Sequence, residues 1–130
     1  AARNQPTVLT PHPLEAARLL GWTTAQVQSK RIEAAEQLAA QTGSVVVLKG
    51  SGTIVAHPAH TSIVNPTGNA LLATAGTGDV LAGLIGAKMA QGASAFDAAC
   101  HAVRVHGCVA DAWPQTGPTL DAALLAASVR

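Results

Sequence analysis

The sequence predicts an α/β fold, and three observations carry that expectation. Hydrophobic residues fill 48% of the 130 positions, yet the aromatics are only Phe96, Trp22 and Trp113. A core of Ala, Val, Leu and Ile, packed with the help of 12 glycines, favours helices layered on a sheet over an aromatic-rich sandwich. Val45-Val46-Val47-Leu48 is an unbroken apolar run, the mark of a strand buried on both faces in a parallel sheet. Helical spacing then recurs on both sides of that strand.

Thr7-Val8-Leu9-Thr10 reads as a short strand, stopped by Pro11-His12-Pro13. Leu14 to Leu20 is a short helix, with Ala16, Leu19 and Leu20 on one face and Gly21 ending it. Thr23 or Thr24 caps a longer helix reaching about Gln41. Its apolar face is Val27, Ile32, Ala35 and Leu38, while Lys30, Arg31, Glu33 and Glu36 point largely to water. Gly43 closes it, and Ser44 to Leu48 is the buried strand. Thr53 to Ala56 and Thr61 to Val64 pair as a hairpin across His57-Pro58-Ala59-His60.

A glycine-rich loop from Asn65 to Gly78 opens into a helix over about Thr77 to Gln91. Helices over about Ala95 to Trp113 and Thr119 to Val129 follow. Gly83 and Gly86 lower helix propensity in the first of these, and close backbone packing is the expected compensation. The strands are too few for a complete doubly wound sheet. The only Met is Met89, which suggests a fragment or a processed chain.

Composition excludes several partners. A formal net charge of +1 without a basic patch gives nucleic acid no electrostatic attraction. No apolar run approaches the ~20 residues of a membrane helix, and the N-terminus has no signal-peptide stretch. Cys100 and Cys108, eight positions apart on one helix, would lie roughly 12 Å apart along its axis, too far to bridge. Both read as reduced, buried thiols of a cytoplasmic protein.

The strongest local signal runs from Asn65 to Gly83, with Gly76-Thr77-Gly78-Asp79 at its centre. Glycines just before a helix let backbone N–H groups converge, and with the positive helix end they form a site for phosphate oxygens. Asp79 in the first turn cannot also bind phosphate, because like charges repel. Beside an alcohol it would serve as the base that frees a nucleophilic oxygen for phosphoryl transfer. Read alone, it fits better an acid that merely complements the helix dipole. The loop is not a Walker A motif, since Gly-Lys-Ser/Thr is missing, and Leu81 stands where a dinucleotide fingerprint has its third glycine.

Lys49-Gly50-Ser51-Gly52-Thr53 follows the buried strand, where open α/β sheets bind ligands. Its glycines permit close backbone approach and Lys49 meets phosphate charge; alone it also reads as an ordinary strand turn. Thr10 to Glu15 lies at another strand end. Prolines on both sides of His12 restrict its backbone, which suits either a substrate hydrogen bond or a satisfied loop histidine. His101 and His106, five apart, miss the i,i+4 spacing of a paired metal site; with His57 and His60 they read as structural or surface residues.

Together, Thr10 to Glu15, Val47 to Thr53 and Asn65 to Gly83 resemble, in order and spacing, the T-P-H-P-G-E, V-L-K-G-x-G-T and N-P-T-G-N-P-x-x-A-x-G-G-x-G-D-V-L-A-G segments of the NAD(P)H-hydrate dehydratase family. The resemblance spans about residues 7 to 112. Leu14 replaces a Gly, Ala70 a Pro, and Ala75 the first Gly of the pair before Thr77. It implies a ribokinase-like three-layer sandwich, of which residues 1–130 are the C-terminal portion of a single domain, the N-terminal half being absent. It also implies ADP-dependent dehydration of (S)-NAD(P)H-hydrate, with Mg²⁺ and ADP (or ATP) as phosphoryl donor.

By the same resemblance, Asp79 contacts the hydrated nicotinamide and acts as base. Gly76, Thr77 and Gly78 line the anion hole, and Lys49, Gly50, Ser51, Gly52 and Thr53, with Gly78, hold the adenine nucleotide. His12 contacts the dinucleotide, and Glu15 helps place Mg²⁺ through water. A fused or separate NAD(P)H-hydrate epimerase and a homo-oligomer are the implied partners. Two other readings remain: a ribokinase-like kinase of the thiazole or hydroxymethylpyrimidine type, and a non-catalytic nucleotide-binding fragment.

Overall fold

The computed structural model describes residues 7–50, 52–67, 77–114 and 120–128. The chain divides into two compact units, Ala1–Asn65 and Pro66–Arg130. The first holds the strands β1 (Val8–Leu9), β2 (Val45–Leu48), β3 (Thr53–His57) and β4 (His60–Asn65), with helices α1 (Pro13–Leu20), α2 (Thr24–Ser29) and α3 (Arg31–Thr42) between β1 and β2. The second holds α4 (Thr77–Ala90), α5 (Ala95–Ala112) and α6 (Ala122–Ser128).

The sheet order is β1-β2-β3-β4. β1 and β2 are parallel, pairing Val8 with Val45 and Leu9 with Val46. β3 and β4 continue antiparallel, with Leu48 opposite Ile54 and Thr53 opposite Asn65. The parallel step needs a crossover, which the three helices provide. All four β2 residues are buried, so both faces of this strand are covered, as its unbroken apolar run requires. Val46 and Leu48 share a core with Ala34, Ala35, Leu38 and Ala39 of α3, Ala16 and Ala17 of α1, and Val27 of α2. Small residues let α3 approach the sheet closely, and Trp22 packs at the margin.

The single helix expected over Thr23 to Gln41 is two helices. Lys30 has φ −137° and ψ 51°, outside the helical region, and ends α2 while preceding α3. The five-residue step from Val27 to Ile32 already breaks helical spacing, and Ile32 is 47% exposed. Thr23 is the cap: its side chain accepts from Gln26 N–H while Gln26 reaches back to Thr23 N–H. Gly21 and Gly43 end α1 and α3 in the left-handed conformation, at φ 72° and 64°.

In the second unit, α5 is capped by Ser94 and buries the stripe Ala95, Ala98, Ala99, Ala102, Val103, His106 and Ala110. Ala110, Leu120 and Leu125 form a small core with Val80, Val109, Trp113 and Leu124. Asp121 Oδ1 accepts from Leu124 N–H at 2.8 Å and starts α6. Gly83 and Gly86 depart from expectation. Both are exposed, and an added Cβ would meet nothing within 4 Å among the described residues, so close packing does not explain them here. The thiols also depart: Cys108 is exposed and Cys100 only half-buried, because both fall beside the apolar stripe of α5 rather than on it.

Candidate functional site

The two parallel strands end side by side. Beyond β1, the Pro11 carbonyl accepts from Lys49 N–H at 3.0 Å, extending the ladder past the last paired residues. One hydrogen bond thus brings Thr10 to Glu15 against the turn between β2 and β3. This is the C-terminal end of the parallel strands, the edge at which open α/β sheets bind ligands.

The turn is built around a guanidinium that helical spacing alone directs to water. Arg31, the first residue of α3, turns inward. Its Nη2 donates to the carbonyls of Leu48 at 3.3 Å, Lys49 at 3.4 Å and Gly52 at 3.2 Å. Its Nη1 donates to Gln28 Oε1 at 2.7 Å. The Gly50 carbonyl accepts from Thr53 Oγ1 at 2.9 Å. Half-burial pushes the Arg31 guanidinium below its ordinary pKa, though far from losing its charge. The break at Lys30 makes this possible, since it restarts the helix at Arg31.

Gly50 has φ 138°, and a Cβ there would stand 3.0 Å from Arg31 Nη1. Gly52 has φ 69°. Both positions therefore require glycine, one for conformation and space, the other for conformation. An open groove of about 500 Å³ runs beside the turn, lined by Gln28, Arg31, Ile32, Gly52, Ile54 and Val64 among others. Ser51 lies outside the described residues.

His12 is the N-cap of α1, with φ −82° and ψ 168° and Pro13 as the first helical residue. Its Nδ1 accepts from the backbone N–H of Glu15 at 3.3 Å, and the His12 backbone N–H donates to Glu15 Oε1 at 3.1 Å. The same Oε1 is 3.2 Å from Nε2. With Nδ1 accepting, Nε2 is the ring nitrogen left to donate toward Glu15 Oε1. The imidazole is thus held in one orientation by a capping box, while half of its surface stays open. Leu14 is 44% exposed beside it.

Asp79 occupies the first turn of α4, exposed, with Thr77 and Gly78 before it. Gly76, the side chain of Thr77, and Ala70 and Ala75 lie outside the described residues. Thr67, from the same motif, donates through Oγ1 to the Arg104 carbonyl of α5 at 3.3 Å. His12, Lys49, Gly50, Gly52 and Thr53 gather at one edge of the first unit, whereas Gly78 and Asp79 belong to the second. His57 and His60 face each other edge-on at 5.4 Å in the hairpin turn. Among the described residues, no three His, Cys, Asp or Glu side chains converge to hold a metal, and no helix is long and apolar enough to cross a membrane.

The model of the NAD(P)H-hydrate dehydratase family matches residues 1–129. The chain belongs to this family. An ADP-dependent (S)-NAD(P)H-hydrate dehydratase of Neisseria meningitidis is 56% identical over 104 residues, covering 80% of this chain and 35% of that protein. A bifunctional NAD(P)H-hydrate repair enzyme of Escherichia coli is 50% identical over 105 residues, covering 80% of this chain and 20% of that protein. Among solved structures, an ADP/ATP-dependent NAD(P)H-hydrate dehydratase of Bacillus subtilis co-crystallised with ATP and Mg²⁺ superposes with a TM-score of 0.92 at 39% identity. It covers 99% of this chain and 47% of that one. A ribokinase-like superfamily protein of Enterococcus faecalis superposes with a TM-score of 0.84 at 29% identity. The fold is ribokinase-like, and the chain spans between a fifth and a half of the length of these NAD(P)H-hydrate dehydratase relatives.

Proposed function

We propose that the full-length protein carrying this chain is a cytoplasmic ADP-dependent dehydratase that returns (S)-NAD(P)H-hydrate to NAD(P)H, and that residues 1–130 are the C-terminal portion of its single ribokinase-like domain. The observation that carries the reading is the Lys49–Pro11 hydrogen bond. It sets a glycine turn suited to phosphates beside an oriented histidine suited to a dinucleotide, at the binding edge of the sheet. Family membership and the ATP and Mg²⁺ of the B. subtilis structure support it. The E. coli relative's description as bifunctional supports a fused or separate epimerase as partner; the homo-oligomer rests on the resemblance.

In this reading Lys49, Gly50, Ser51, Gly52 and Thr53 bind the nucleotide, with Gly78. Gly50 and Gly52 form the cradle, and Lys49 balances phosphate charge. Gly76, Thr77 and Gly78 direct backbone N–H groups at the transferring phosphoryl group, whose negative charge the α4 dipole favours. Asp79 takes the proton from the hydroxyl on the hydrated ring as that oxygen attacks the terminal phosphorus of ADP, and AMP leaves. The ring nitrogen's lone pair then expels inorganic phosphate, breaking the C–O bond and restoring the dihydropyridine. His12, fixed by Glu15, hydrogen-bonds the dinucleotide.

The residues fit a Mg²⁺ carried mainly by phosphate oxygens and water, which needs one or two carboxylates rather than a protein cage. The ion supplies charge neutralisation between nucleotide and substrate. Glu15, whose Oε1 is taken by His12, would help hold the ion through water.

The test uses the full-length protein with hydrated NADPH, ADP and Mg²⁺, followed at 340 nm. Absorbance rises only with ADP present, one inorganic phosphate is released per NADPH formed, and Asp79→Asn lowers kcat by about 10²–10⁴-fold. A stable phosphorylated product without phosphate release would identify a small-molecule kinase instead.

A further inference from the structure

Arg31 belongs to none of the three motifs, yet it organises the turn that two of them meet at. It rests on the nucleotide-binding reading of that turn, and adds a residue to it. Four carbonyl oxygens of the turn, those of Leu48, Lys49, Gly50 and Gly52, are taken up by protein donors. Three of the four belong to Arg31. Carbonyl dipoles pointing toward a phosphate would repel it, so a turn that receives phosphates must direct them elsewhere. A single planar guanidinium does this for three carbonyls at once, and it carries the compensating positive charge.

Two further contacts fix the arrangement. Gln28 Oε1 holds the other terminal nitrogen at 2.7 Å, so the guanidinium is anchored from α2 as well as from α3. Gly50 stands against its face, where a Cβ would lie 3.0 Å from Nη1 and 3.1 Å from Nη2. The close approach of backbone and guanidinium is what the missing side chain at position 50 permits. The φ of 138° there is a conformation that residues with side chains rarely adopt.

We propose that Arg31 is a positioning residue for the nucleotide: by gathering the carbonyls of Leu48, Lys49 and Gly52 behind the turn, it leaves the opposite side of the turn to the phosphates of a nucleoside diphosphate or triphosphate. Arg31 touches no reacting atom. It acts through the backbone of the turn, so its effect falls on nucleotide affinity.

The experiment compares full-length wild type with Arg31→Lys, Arg31→Met and Gln28→Ala, measuring KM for ADP, KM for the hydrated dinucleotide, kcat, and the melting-temperature rise produced by ADP with Mg²⁺. Loss of charged hydrogen bonds to the turn raises KM for ADP by about tenfold or more in Arg31→Met. Arg31→Lys recovers part of this, because an ammonium restores charge but lacks the second nitrogen that Gln28 Oε1 anchors while the first meets the carbonyls. Gln28→Ala, on the exposed surface, raises KM for ADP severalfold. In every variant KM for the dinucleotide changes less than KM for ADP, and the ADP-induced melting shift shrinks. A merely structural role would lower the ligand-free melting temperature and leave KM for ADP untouched, and that result overturns the proposal. Should Arg31→Met fail to fold, an unchanged KM for ADP in both Arg31→Lys and Gln28→Ala overturns it equally. A wild type that neither binds nor uses ADP overturns the nucleotide reading itself, and the proposal with it.

Discussion

Point mutations separate the capping role of His12 from its proposed contact with the dinucleotide. As N-cap of α1 it satisfies a backbone donor, and in the proposed enzyme it faces the dinucleotide. His12→Ala removes both, and the lost cap costs about 0.5–2 kcal/mol in a denaturation midpoint. His12→Asn keeps a good cap, so stability stays near wild type while KM for the hydrated dinucleotide rises. Unchanged KM in a stable His12→Asn protein would leave the residue with capping alone. The cysteines offer a second contrast at this scale. Burial, and then the carboxylate of Asp97, push the Cys100 thiol above its ordinary pKa, whereas Cys108 is exposed. Alkylation near pH 8 followed by mass spectrometry therefore labels Cys108 first. Because the folded-state pKa is raised, the unfolded chain releases the Cys100 proton before the folded chain does. Stability is lost as pH rises from the ordinary thiol pKa toward the raised one, and Cys100→Ser flattens that alkaline decline.

At the scale of elements, α4 is the helix with an unexplained composition. It is apolar nearly all round, and it carries Gly83 and Gly86 on exposed positions where a Cβ would meet nothing. Replacing Gly86 with Ala stabilises the 130-residue chain by about 0.5–1 kcal/mol, through helix propensity and a less flexible unfolded state. The measurement is a urea midpoint. A destabilising Gly86→Ala would mean that a backbone packs against this face in solution. The break at Lys30 is the other informative feature. A continuous helix would have carried Arg31 around to water, and the turn between β2 and β3 would lack the cation that gathers its carbonyls.

For the whole molecule, the relevant fact is coverage: the chain is matched almost completely by the B. subtilis structure, yet spans 47% of it. The proposed catalytic groups are divided between two units, with the nucleotide turn and His12 in one and Asp79 in the other. Both groups lie within this chain, which spans 47% of the B. subtilis structure, so the proposed activity is that of the full-length protein.

The sequence by itself determined the α/β class, the strand and hairpin positions, and the three motifs. Each depends on local rules: apolar β2 needs two covered faces, Gly43 needs a left-handed φ, and Pro58-Ala59 separates the two strands of the hairpin. The motifs were legible because glycines with unusual φ and a first-turn acid leave a fixed spacing. Tertiary structure decided what spacing cannot express. The hydrogen bond between Pro11 and Lys49 joins residues 38 positions apart, and the bond from Arg31 to Gly52 joins residues 21 apart. An arginine among Lys30, Glu33 and Glu36 reads as solvated, because nothing local distinguishes a guanidinium meeting water from one meeting three carbonyls. Only the packing of α3 on the sheet brings those carbonyls within its reach.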